Sequence, residues 1–169
     1  MKRVYYKVCE VNFNWKALHD NFCESYHLPA THPEINDYFD DDYKNTDFEL
    51  YEVGHNLMKM KGSLPSLRND EPFALNEKLR GDLATWQLDP AEFENRAHAV
   101  RKALQLQKRK LGASKGFDHF ERLPDVWLTD VFHFNLFPAT SLTVASDVVS
   151  LQRCEPHPKD PNKSIFHHW

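Results

Sequence analysis

Apolar and polar positions change period along the chain, and each change marks a different kind of element. Val4, Tyr6 and Val8 alternate with Tyr5, Lys7 and Cys9, which predicts a β-strand over residues 3–12. The period then lengthens. Trp15, Leu18 and Phe22 recur at i, i+3 and i+7, and a polar stripe of Asp20 (or Asn21), Glu24 and His27 follows helical spacing beside them, so residues 15–27 predict one amphipathic helix. Pro29 disfavours helical geometry at Leu28 and is expected to end that helix. Residues 34–47, with the run Asp40-Asp41-Asp42, read as a solvated loop. Residues 48–60 predict one or two strands with a turn or bulge at Gly54, and residues 62–72 hold breakers that predict irregular structure.

The middle of the chain is helical in pattern. Leu75, Leu79, Leu83 and Trp86 share one face of a helix over residues 73–86. Asp89 as cap and Pro90 in the first turn open a second helix, expected to run to Leu111 with Phe93, Ala97, Val100, Leu104 and Leu111 on one face. Lys108, Arg109 and Lys110 complement its C-terminal dipole, and Gly112 is its expected stop; the basic cluster reads as a solvated helix end. From Phe117 the pattern returns to period two. Strands are predicted over residues 131–137, 142–145, 148–154 and 165–169, joined by short turns.

Composition narrows the class. A chain of 169 residues is one domain's worth, and its net charge of −4 recommends neither nucleic acid nor an anionic membrane as partner. No apolar run is long enough to span a bilayer, and the first residues lack the apolar core of a signal peptide. Cys9, Cys23 and Cys154 are odd in number and never form C-x-x-C, which suits a reduced, cytoplasmic protein without disulfides. No Gly-rich phosphate loop or nucleophile triad is recognisable. Cys23 stands beside Glu24, whose charge disfavours the thiolate, so Cys23 is a poor nucleophile.

The candidate chemistry lies in the string from Asn14 to Pro33. On an unbroken helix two histidines five apart would point roughly 140° away from each other. If the helix stops between them, His32 can swing back to meet His27. Two neutral imidazoles beside a carboxylate suit a divalent transition metal. On spacing alone the plainer reading is favoured, a hydrogen-bonded or solvated cluster at a helix end, because H-x4-H recurs by accident. His55 reads as structural or exposed, His157, His167 and His168 as exposed or incidental, and His133 as a core or cavity-lining residue rather than a ligand.

The wider string carries a resemblance. Asn14-Trp15-Lys16, Asp20-Asn21-Phe22 and Glu24-x-x-His27-x4-His32-Pro33 resemble the opening of the catalytic domain in α subunits of Rieske-type non-haem iron aromatic ring-hydroxylating oxygenases. Asp130, the strand ending Phe137-Pro138 and the turn Pro156–Pro161 extend the likeness, with Ala139 where Asn is usual. The resemblance implies an α+β, helix-grip (START/Bet v 1-like) antiparallel sheet with packed helices. It implies mononuclear Fe(II) held by His27 and His32, with Glu24 linking the iron to a neighbouring subunit's cluster and Asn21 close to the metal. It also implies an aromatic or related apolar substrate with O2, a ferredoxin or reductase as electron donor, and trimers of α subunits, often with β subunits. The family's [2Fe–2S] cluster needs a C-x-H…C-x-x-H pair that this sequence lacks, and its third, acidic iron ligand matches no residue here. Residues 1–169 are therefore expected to be a truncated portion of that domain, inactive on its own, without the Rieske domain and the C-terminal end. The competing expectation is a non-enzymatic helix-grip carrier of hydrophobic ligands.

Overall fold

A computed structural model describes residues 2–169. Seven strands form one antiparallel sheet: β1 (Lys7–Val11), β2 (Asp47–Leu50), β3 (Asn56–Met60), β4 (Val131–Leu136), β5 (Thr140–Val144), β6 (Val149–Pro156) and β7 (Ser164–His168). Their order is β1-β7-β6-β5-β4-β3-β2, so the first strand closes one edge beside the last. Helices α1 (Trp15–Asn21), α2 (Leu28–Thr31), α3 (Glu77–Thr85) and α4 (Ala97–Leu111) complete the α+β, helix-grip arrangement read from the sequence.

Register decides which side chains share a face. Met58 pairs with His133 and His133 with Thr143, while Asn56 pairs with Asn135 and Asn135 with Ser141. Side chains alternate across a strand, so these residues all lie on the same side of the sheet. Helix α1 crosses that side near β6 and β7. Asn14 caps it: Oδ1 accepts from the Lys16 backbone N–H at 3.0 Å, and Nδ2 donates to the Pro161 carbonyl at 2.7 Å. The start of the helix is thereby tied to the β6–β7 turn.

A second layer builds its own core. Leu79, Leu83, Val100, Leu104, Phe120 and Leu128 are fully buried between α3, α4 and the 3-10 turns that follow. Burying each such side chain is worth roughly 1.5–3 kcal/mol. The predicted faces of both helices are the buried ones, but their bounds differ. Asn76 caps α3 by accepting from Leu79 N–H at 3.0 Å, so the helix starts after Phe73. Asp89 does cap a turn, yet that turn is a single 3-10 stretch, Pro90–Phe93. Asn95 takes a left-handed φ of 55°, and this separates it from α4.

Two charged runs are structural rather than solvated. Asp40 and Asp41 are buried, Asp40 accepting from Asp42 N–H and Asn45 Nδ2, Asp41 accepting from Ser66 Oγ and Arg68. At the end of α4, Lys108 donates to the Leu128 carbonyl at 2.7 Å and lies over the Trp86 ring. Burial pulls the Lys108 pKa below the usual lysine range. Arg109 donates to the carbonyls of Phe120, Glu121 and Leu123 and to Asp125. The basic cluster thus holds the crossover between α4 and β4. The stretch before β4 is correspondingly a 3-10 turn, Asp125–Leu128, not extended chain.

Layer and sheet are joined by a charged pair. Arg101 on α4 donates through both terminal nitrogens to Asp130 and through one of them to the Gly62 carbonyl and Thr129 Oγ1; Asp130 also accepts from Gly62 N–H. A Cβ at Gly62 would come within 2.1 Å of the Thr129 carbonyl, so only glycine fits this approach.

Candidate metal centre

The helix α1 stops at Asn21, six residues short of His27, which corrects the expectation of one helix over residues 15–27. A continuing helix would give the Phe22 carbonyl to the N–H of Tyr26. Instead Asn135 Nδ2 takes that carbonyl at 2.8 Å. Asn135 is fully buried in a polar network: its Nδ2 also donates to Asn56 Oδ1 at 2.8 Å, its Oδ1 accepts from Ser141 Oγ at 2.7 Å, and Asn56 donates to Cys23 Sγ at 3.3 Å. A strand side chain therefore holds the chain where it leaves the helix. Replacing Asn135 by alanine strands the Phe22 carbonyl and Ser141 hydroxyl, and is expected to cost about 2 kcal/mol. A fall in the urea midpoint at constant slope would show it; an unchanged midpoint would remove this account of the helix end.

The chain then restarts as α2, a single turn. Pro29 lies in its first turn, where a missing N–H does no harm, and so does not terminate a helix as expected. His27 is the residue before that turn and His32 the one after it, at φ −134°. The two rings meet at a centroid separation of 5.7 Å and an interplanar angle of 74°. Rings bound to one ion at about 2.1 Å would have centroids roughly 4.5–6.5 Å apart, so the pair is spaced for a shared metal.

Glu24 turns back onto the same element. Its Oε1 lies 2.5 Å from His27 Nδ1, and its Oε2 accepts from the His27 backbone N–H at 3.3 Å. A carboxylate on Nδ1 keeps a proton there and leaves the lone pair on Nε2, the orientation of a metal-ligating histidine. His32 Nδ1 lies 3.6 Å from Glu34. Among the described residues no group of three or more His, Cys, Asp or Glu is placed to hold a metal ion together. The donor set fits two imidazole positions of a two-histidine, one-carboxylate iron site, and the carboxylate position has no counterpart on these residues.

A cavity of about 280 Å³ opens beside the rings. Asn21, Glu24, His27 and His32 border it, and Phe22, Leu28, Ile35, Phe39, Met58, Met60 and Val131 make it largely apolar. His133 and Thr143 line its sheet side. The four site residues predicted from sequence thus converge on one cavity. His133, read as core or cavity-lining, does line it; the Thr143 partner was missed, although both stand at strand positions of matching parity. His55 is structural as expected, accepting from Phe137 N–H at 2.9 Å. His157 is not incidental: its Nδ1 accepts from the N–H groups of Lys159 and Asp160 and so shapes the β6–β7 turn. The Cys23 thiol pKa is raised, first by burial and further by Asp20 and Glu24, in keeping with an unreactive thiol.

Burial lowers the His133 pKa from 6.5 to about 4. Between these values the unfolded chain binds more protons than the folded one, so stability rises with pH across that window. Acidification from pH 7 to 4 is expected to remove about 3 kcal/mol through this group. Denaturant titrations at both pH values on the native chain and His133→Phe test it; equal slopes with pH in the two proteins would refute it.

A histidine pair over an apolar cavity, carried on an antiparallel sheet with packed helices, is the arrangement of a helix-grip domain. Over residues 1–169 the sequence matches the family described as ring hydroxylating alpha subunit (catalytic domain). The chain belongs to that family. Among solved structures it is similar to the quaternary ammonium Rieske monooxygenase CntA in complex with an inhibitor, at TM-score 0.52 and 15% identity, covering 99% of this chain and 30% of that one. A second structure of a quaternary ammonium Rieske monooxygenase gives a TM-score of 0.49 at 14% identity, covering 97% of this chain and 29% of that chain. The first likeness speaks for the fold. The chain spans under a third of the length of both. No curated protein matches the chain. Among the described residues no helix is long and apolar enough to cross a membrane.

Proposed function

We propose that this chain is the catalytic-domain portion of an aromatic ring-hydroxylating oxygenase α subunit, acting with mononuclear Fe(II) on an aromatic or related apolar substrate. The observation that carries the reading is the 5.7 Å convergence of His27 and His32 at the mouth of an apolar cavity. Ferrous iron held there supplies the open coordination positions and redox chemistry that activate O2. His27 and His32 would hold the ion. Glu24 holds the proton on His27 Nδ1 and fixes that ring; its link to a partner subunit's cluster is the further role the family implies. Asn21 borders the ion's side of the cavity. Phe22, Leu28, Ile35 and Phe39 exclude water and seat the substrate ring against the sheet. A reductase or ferredoxin would be the electron donor, by way of a [2Fe–2S] centre for which this sequence carries no C-x-H…C-x-x-H pair, in a trimer of α subunits in the cytoplasm, often with β subunits. Anaerobic titration with ferrous ion tests the reading. Uptake of one ion per chain is expected; tight uptake of an apolar ligand with no iron would instead favour the carrier.

A further inference from the structure

The cavity's sheet side holds a polar group that the metal chemistry leaves unused. His133 faces the cavity from β4, and Thr143 Oγ1 on the adjacent strand lies 3.0 Å from its Nδ1. No protein partner is recorded for its Nε2 among the described residues. Around the pair the lining is hydrocarbon and thioether: Phe22, Met58, Met60 and Val131. The ring packs near Phe22, with centroids 6.1 Å apart. With Nδ1 engaged by Thr143, Nε2 is the ring nitrogen left to a ligand's hydrogen bond.

We propose that His133, oriented by Thr143, is the specificity-determining residue of this cavity, and selects a ligand with an apolar ring body and one neutral hydrogen-bonding substituent, a hydroxyl or carbonyl. Size sets the body. At native packing density a cavity of about 280 Å³ takes roughly 200 Å³ of ligand, one substituted ring or a small bicycle. Charge sets the substituent. Burial keeps this imidazole neutral near pH 7, so it offers no counter-ion to a buried carboxylate. A hydroxyl answers either tautomer, since it both donates and accepts. The inference rests on the oxygenase reading in taking this cavity as the substrate pocket.

A matched pair of probes isolates the substituent: 4-methylphenol and p-xylene differ by hydroxyl against methyl. Their dissociation constants are measured on the metal-free chain at pH 7 by calorimetry, with 4-methylbenzoate as the charged arm. The native chain is expected to bind 4-methylphenol about tenfold more tightly than p-xylene, with 4-methylbenzoate the weaker of the two polar probes. His133→Leu should bring the phenol-to-xylene ratio to about one or invert it. Thr143→Val, which keeps volume and removes only the orienting hydroxyl, should lower the ratio at least about threefold and decides the matter if the leucine variant fails to fold. Equal binding of phenol and xylene by the native chain, or a ratio unchanged in the variants, overturns the proposal. Ferrous uptake is scored separately: iron binding without discrimination refutes only the role of His133, and discrimination without iron binding refutes only the oxygenase reading.

Discussion

Replacing either His27 or His32 by alanine is expected to abolish stoichiometric ferrous uptake, a loss of at least about a hundredfold in affinity. Among the described residues each ring supplies one of the two protein nitrogens spaced for the ion, and a single imidazole does not hold Fe(II) against water. Glu24→Gln should be milder, about ten- to a hundredfold, because it removes the group that orients a ligand rather than the ligand itself. The two effects share a path. In a His27→Ala background the Glu24→Gln change should add almost nothing, since its only recorded side-chain partner in the site is gone. Uptake unchanged in both histidine variants would end the metal assignment.

Arg101→Ala carries the largest expected loss of stability. The Arg101 and Asp130 side chains are 17% and 9% exposed, and Asp130 keeps only the Gly62 N–H and the Thr129 hydroxyl once the guanidinium leaves. Breaking a buried pair from one side costs about 3–5 kcal/mol, because the remaining charge has no counter-ion. In a chain of this size that is a fall of roughly 10 °C in the melting midpoint. The paired change to methionine and leucine, which removes both charges, should recover most of it. A loss under about 1 kcal/mol in the single variant would mean that the pair is solvated and does not join the helical layer to the sheet.

Much of the fold was legible because burial imposes a period. Leu75, Leu79 and Leu83, then Val100 and Leu104, are buried as their spacing requires, and alternation located β4 to β7 within a few residues. What escaped was decided at long range. The sequence around Phe22 continues a helical stripe, yet the chain leaves the helix there and is held by Asn135, far along the chain, through the Phe22 carbonyl. Asp41 and Lys108 look solvated in isolation; Arg68 and the Leu128 carbonyl bury them. Within the site, Glu24, His27 and His32 were legible as a string, but the stop that brings the rings together was sought at Pro29 and lies at Phe22. His133 and Thr143 carried no local signal beyond strand parity, since a lone histidine in an aromatic strand is most often plain packing.

The bond from Asn135 to Phe22 spans 113 positions of the chain. Closing so distant a contact costs loop entropy that no local interaction returns. A peptide cut to the histidine string alone would thus carry both donors and hold neither in place. Competence at this locus is a property of the finished sheet, and should emerge late in folding, after the fourth strand has found the third.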